Sequence, residues 1–504
     1  MPVTRRTLLR AAAGALPGIV AARALDAATK SSEWDFGAVI DMAEALSRAP
    51  HSDPPMSLPA PMAAMTYEQY RDIRFKPEKA VWKDTDSAFA VDLFHPGWNF
   101  RTPVGIDLVE TGKTRPLPFA AEMFDYGPLL APPKNVSSLS FSGFAARNAI
   151  HRSDVMDEFA AFQGASYFRA VAKGQHYGLS ARGLALNTAE QGGEEFPRFR
   201  RFWLVRPQAG AGSLVVLALL DSPSTTGAYR FTLRPGDVTV TDVELVLFPR
   251  VELTKVGLAP LTSMFLFNSS ARAGHDDFRP AVHDSDGLQI LTGSGERIFR
   301  PLANPSRLQI SAFVDRNPRG FGLVQRTRTF SDYQDIASRF ELRPSTWVEP
   351  IGDWGAGAMI LVEIPSDVET NDNIVAFWRP NEPIRANRPY NLTYRLLWCA
   401  TPPETAPLAK VAATRGGLSA DRNRRLFVVD FSGLPPETPE PTVTAHASGG
   451  QISNITGQVN AAGQTYRASF ELDTGAENLI ELRMVLTIAG AAVSETWLYR
   501  WNRP

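Results

Sequence analysis

Two short stretches hold the residues best suited to chemistry. Arg279-Pro-Ala-Val-His-Asp-Ser-Asp-Gly287 and Glu369-Thr-Asn-Asp-Asn-Ile-Val-Ala-Phe-Trp378 each set carboxylates in a polar turn beside an apolar run, Leu288–Leu291 and Ile374–Trp378. Asp and Asn favour such turns because their side chains bond local backbone amides. Two acids held at strand ends, with Arg and Trp nearby, form the set that acid/base cleavage of a sugar acetal requires. The same residues also read as plain turn chemistry, and composition alone does not separate the two.

Aromatic residues strengthen the first reading. Trp347, Trp354 and Trp378 lie in or beside the acid-bearing segments, as do Phe330, Tyr333 and Phe340. Aromatic rings stack on the apolar faces of sugars, while Arg, Asp and Asn bond the hydroxyls. Arg279, Arg326, Arg328 and Arg343 suit that second task, although pairing with nearby acids is the commoner fate of an arginine. Burial in the core is the alternative for each tryptophan. His275, Asp276, Asp277, His283 and Asp284 match no zinc or calcium spacing, so no metal is expected. Gly352-Asp-Trp-Gly355-Ala-Gly357 lacks the lysine and helix pattern of a phosphate loop, and Gly293-Ser294-Gly295 is a turn rather than a nucleophile elbow.

The elements that position these residues read as strands. Phe36, Val39, Ile40, Met42, Ala43 and Leu46 recur at helical spacing, and Thr66–Ile73 reads as a second short helix with Thr66 or Ala64 near its start. From Phe75 onward the chain turns to short apolar or alternating runs separated by Gly, Pro, Asn and Asp, the pattern of antiparallel β-sandwiches. The piece Phe330–Phe340 reads as a helix or turn capped by Ser331. Thr401-Pro-Pro-Glu-Thr-Ala-Pro407 breaks the pattern and marks a boundary, so a large β-domain (29–400), a linker (401–410) and a smaller sandwich (411–504) are expected. Ala413–Arg425, polar and bearing four arginines and two adjacent glycines, reads as a solvated loop.

A chain of 504 residues exceeds one ordinary core. Its formal charge of −1 argues against a nucleic-acid binder. The single cysteine, Cys399, rules out an intrachain disulfide and follows an apolar run, as a buried, inert thiol would. Thr4-Arg5-Arg6-Thr7-Leu8-Leu9-Arg10, then the short run Ala11–Ala22, is a twin-arginine export pattern too brief for a membrane span. Residues 1–28 are therefore read as a signal peptide, and the rest as a soluble periplasmic protein without stable membrane insertion.

Several long motifs carry a resemblance. Phe159–Arg169, Gly174–Gly183, His283-Asp-Ser-Asp-Gly287 and Glu369-Thr-Asn-Asp-Asn373 resemble the periplasmic glucan biosynthesis proteins of the OpgG/OpgD (MdoG/MdoD) family, from about Phe36 into the C-terminal region. The resemblance implies a mainly β fold: a large mutarotase-like antiparallel β-sandwich, then an immunoglobulin-like sandwich. It implies inverting endo-β-1,2-glucanase activity with Asp372 as general acid and Asp284 as general base, no cofactor, and β-1,2-glucan as partner. Glu369, Trp347, Trp354, Trp378, Arg343, Arg279, His283 and Tyr333 are then expected at the substrate. Glu369 is expected to raise the pKa of Asp372 by like-charge repulsion, with apolar neighbours such as Ile374 adding desolvation, and Asp286 to face away from Asp284 if the segment is extended. The twin-arginine pattern favours the D-type, whose relatives imply a homodimer in which the loop Arg415–Arg425 closes over the partner's cleft. A non-catalytic glucan-binding protein is the alternative, and a sugar epimerase a third reading resting on fold alone.

Overall fold

The computed structural model describes residues 34–53, 58–133, 139–269, 271–272, 274–404 and 406–503. The expected signal peptide lies outside them. Among the described residues, the chain is built mainly of antiparallel strands in a ten-stranded and a fifteen-stranded sheet, with a further four-stranded sheet near the C-terminus. No described helix is long and apolar enough to cross a membrane.

The two large sheets close on an aromatic core. Phe144, Phe162 and Phe168 of the ten-stranded sheet stack in a row, with centroids 4.9 and 5.3 Å apart. Phe162 also meets Phe231 of the opposing sheet edge-on at 5.1 Å, and Phe168 meets Trp398 at 6.5 Å. Burying one such ring stabilises the fold by about 1.5–3 kcal/mol, so this row dominates the local energetics. Strands on the flank of the larger sheet alternate cleanly; Thr239–Pro249 buries every second residue before its last turn.

The helix Phe36–Ser47 covers the outer face of the larger sheet. Asp35 caps it by accepting from the Ala38 amide at 3.2 Å. Its apolar stripe, Val39 and Ala43, packs on Trp203, Leu217 and Leu219. Thr226 Oγ1 donates to the Ala43 carbonyl at 2.7 Å, tying helix to sheet. The short helix Tyr67–Asp72 carries the expected Thr66 cap as a full capping box with Gln69.

Two local expectations are corrected. Phe330–Phe340 is not one helix but two single 3₁₀ turns, Phe330–Asp332 and Phe340–Leu342, and the cap is Thr329 rather than Ser331. Ala413–Arg425 is mostly strand: Lys410–Leu418 and Arg425–Ser432 pair antiparallel, leaving only 419–424 as a turn. Gly416 sits opposite Phe427, whose ring lies 3.5 Å from where a Cβ would stand. That glycine therefore sits inside a paired strand rather than marking a turn.

The described residues of 401–408 carry neither helix nor strand. Beyond them the chain returns to the large sheet. Thr496–Asn502 runs parallel to Arg297–Pro301, with Ile298 opposite Thr496. Phe299 and Val324 belong to the same apolar cluster as Phe427, Phe470 and Trp497.

Candidate active site

The site lies at one end of the ten-stranded sheet and is organised by the strand Val256–Ser263. All eight of its residues are buried, as in a central strand covered on both faces. It runs between Ser180–Arg182 and Ile374–Pro380, with Ser263 opposite Ile374. Asp372 stands two residues before Ile374 and therefore at this end of the sheet. The chain leaving Ser263 pairs Phe265 with His283, and the Asp284 amide donates to the Met264 carbonyl at 2.8 Å. Both carboxylates are thus hung from adjacent strand ends.

Neighbouring polar side chains fix the two turns. Asn373 acts as a strand edge: Oδ1 accepts from the Phe265 amide at 2.8 Å, and Nδ2 donates to the carbonyls of Phe265 and Ile364. Ser285 Oγ lies 2.9 Å from Ser263 Oγ. The Asx-rich motifs are turn chemistry and site construction at once.

The carboxylates differ in environment. Asp284 is 4% exposed and accepts a hydrogen bond from Arg343 Nη1. Burial pushes its pKa up to about 6, opposed by the Arg343 charge and reinforced by Asp372. Arg343 lies 4.2 Å over the Phe340 ring, and its stem passes so close to Gly178 that a Cβ there would stand 2.9 Å away. Asp372 remains open to water, yet protein surrounds it as at the floor of a cleft. Burial raises its pKa as well, against Arg169, Arg182 and Arg343. Glu369 does not contribute to that rise. It pairs with Arg279 at 2.7 Å, so of the two expected causes only desolvation operates.

Arginines on the neighbouring strands complete the cleft. Arg182 donates to Thr262 Oγ1 at 2.8 Å and to Glu194 at 2.5 Å, and its guanidinium lies 4.7 Å over the Tyr167 ring. Arg169 acts on both Asp284 and Asp372. It lines a depression with Tyr167, Gln163, Phe100, Tyr177 and Glu158. The motifs Phe159–Arg169 and Gly174–Gly183 do reach this region, but Glu158 was not foreseen. A β-bulge explains it: Ala160 faces Ala146 while Glu158 faces Arg147, so one residue is skipped. The bulge turns Glu158 from the core face to the face shared by Ala161 and Arg169.

Other expected site residues lie elsewhere. Trp378 is fully buried, Trp347 is 2% exposed and Trp354 is 5% exposed. Trp347 packs over Gly320 beside Leu291, Leu397 and Cys399. Trp354 stacks among Phe321, Trp378 and Tyr394, its indole donating to the Thr393 carbonyl at 3.4 Å. These three indoles are core residues and present no face to a sugar. Tyr333 is also buried; it packs on His283 and Phe340 and donates to the Thr327 carbonyl. His283 is 1% exposed, bonded to Gln325 at 3.0 Å, and its pKa is lowered by burial, so it is a neutral structural support. Asp286 accepts from the amides of Arg326 and Thr327, away from Asp284 as alternation requires. Arg279 is taken up by Asp277, Asp335 and Glu369. Of the expected substrate contacts, only Arg343 stands beside the two carboxylates.

Comparison with known proteins places the chain in a family. The family model for the periplasmic glucan biosynthesis protein MdoG matches residues 34–501. A glucans biosynthesis protein G from Rhodopseudomonas palustris is 49% identical over 505 residues, covering 99% of this chain and all of that protein. Proteins of the same name from Vibrio cholerae and from Shewanella putrefaciens are 47% and 48% identical over 479 residues, covering 94% of this chain and 88% of theirs. These relatives carry the G name, which lends the D-type expectation no support. The chain belongs to the MdoG family of periplasmic glucan biosynthesis proteins.

Proposed function

We propose that the protein is an inverting endo-β-1,2-glucanase of the periplasm, with Asp372 as general acid and Asp284 as general base. The supporting observation is the pair of carboxyls at one sheet end whose environments differ: one open to the cleft, the other buried and held by Arg343. A general acid must touch the leaving oxygen, and only Asp372 is open to it. The larger pKa rise belongs to Asp284, which taken alone favours the opposite assignment. Geometry outweighs it, because a carboxyl that is 4% exposed cannot reach a glycosidic bond. The arginine hydrogen bond also holds Asp284 ionised at neutral pH, as a base must be. It then activates water through intervening solvent rather than by direct contact.

Desolvation favours the protonated form of Asp372. Bound glucan displaces water from the cleft and strengthens that effect, so substrate binding itself arms the acid. Incubation with linear β-1,2-glucan should yield shorter chains whose new reducing ends appear first as the α-anomer, read by proton NMR. Unchanged chain length would favour the alternative, a protein that binds glucan without cutting it. Export by the twin-arginine route, a D-type role and a homodimer in which Arg415–Arg425 closes over the partner's cleft belong to the same proposal. Blocked export after Arg5 and Arg6 are replaced by Lys, and a dimer mass in light scattering, are the results expected.

A further inference from the structure

A chain of charge-assisted contacts runs between the two halves of the site. Glu369 Oε2 meets Arg279 Nη2 at 2.7 Å, and Arg279 Nη1 donates to Asp335 Oδ2 at 2.8 Å. Asp335 Oδ1 in turn accepts from the amides of Ala337 and Ser338 at 2.9 and 2.8 Å, which fixes the loop before Phe340. The Ser338 carbonyl accepts from Arg343 Nε at 3.4 Å, and Arg343 grips Asp284. Asp277, two residues before Arg279, adds a further carboxylate at 2.7 Å. Each segment in this run carries or adjoins a member of the site: Asp372 follows Glu369, Arg343 follows Asp335, and Asp284 follows Arg279.

The turn holding Asp372 shows why such a tie matters. Its stems are pinned, one by Asn304, which exchanges hydrogen bonds with the Ser366 backbone, and the other by Asn373. Its tip, Val368–Asn371, is exposed. Glu369 on that tip has one ionic anchor, Arg279, whose side chain is only 14% exposed. Resting on the function proposed above, we infer that Arg279 is a positioning residue that locks the turn of the general acid to the loop of the general base's arginine, and so fixes the separation of the two carboxyls. An inverting hydrolase depends on that separation because a water must fit between base and sugar. Small errors of placement cost rate more than binding.

The test follows from the charge balance. Arg279 faces three carboxylates, so Glu369→Gln leaves it satisfied by Asp277 and Asp335 and should not unfold the protein. Removing Arg279 instead would leave three acids crowded together, and that variant is a poor probe. In Glu369→Gln, kcat on linear β-1,2-glucan should fall tenfold or more, with KM within twofold of wild type and the limbs of the pH profile unmoved. Amide hydrogen exchange should accelerate about tenfold both in 366–373 and, across the tie, in 335–339, while Ile374–Pro380 stays protected. Glu369→Asp should recover part of both effects. Unchanged exchange in 335–339, or full kcat in Glu369→Gln, would overturn the inference. A wild-type protein that cuts no glucan would refute the proposed function instead, and the exchange data would still decide whether the tie exists.

Discussion

Replacing Arg343 with Met should move the whole pH profile toward alkali. The substitution keeps an apolar stem over Phe340 and against Gly178 but removes the charge that opposes the burial of Asp284. With a pKa of about 6, Asp284 is roughly nine-tenths ionised at pH 7. Losing an adjacent cation raises a carboxyl by about 1–3 units. The ionised fraction at pH 7 then drops to between about one half and one hundredth, so kcat/KM should fall roughly 2-fold to 100-fold. The sign is fixed by the role: a base works ionised, so activity is lost as pH falls through its pKa, and raising that pKa carries the acid limb upward. Arg343 also lowers the pKa of Asp372, so the alkaline limb should move upward with it. Rates of reducing-end release on linear β-1,2-glucan across pH 5–10 would show both limbs shifted together and activity partly restored at high pH. A uniform loss at every pH, or an acid limb that stays in place, would refute the assignment of Asp284 as base.

Asp372→Asn should lower turnover by about 10²–10⁴-fold while calorimetry detects unchanged glucan binding, since the amide fills the same space without an acidic proton. Trp354→Ala should cost about 3–5 kcal/mol in urea unfolding, as for any large core aromatic, and leave glucan affinity unaltered. Weakened binding at full stability would return that indole to the cleft. Glu495→Ala strips Arg326 of its buried partner and should destabilise the protein by about 3–5 kcal/mol, read as an earlier melting transition.

Much of this site could be read along the chain, and its failures have physical causes. Asp284 and Asp372 stood out because turn chemistry places Asx residues at strand ends, and the same residues build the site. The tryptophans misled because closeness in sequence to an acid is not closeness in space. Their partners, Gly320 under Trp347 and Gly357 under Trp378, lie on other strands and are invisible until the sheets are paired. Glu158 escaped because period-2 alternation puts it in the core, and a bulge is not encoded in that pattern. The strand Val256–Ser263, central to the site, was not among the expected strands. It contains Pro260 beside Ala259 at φ +46°, in a register shift between Leu258 and Leu261 that a central strand tolerates only as a bulge.

The pairing of Arg326 with Glu495 also bears on how the protein is made. Arg326 lies 3.7 Å over the Phe299 ring, and the carboxylate that neutralises it is fully buried 169 residues further along the chain. Until Glu495 and the strand Thr496–Asn502 have been made, that cation and the adjoining sheet edge at Arg297–Pro301 wait uncovered. Contacts so distant in sequence close slowly, and an open strand edge invites pairing with other chains. A fragment ending before Ser494 is therefore an aggregation hazard rather than a folded intermediate.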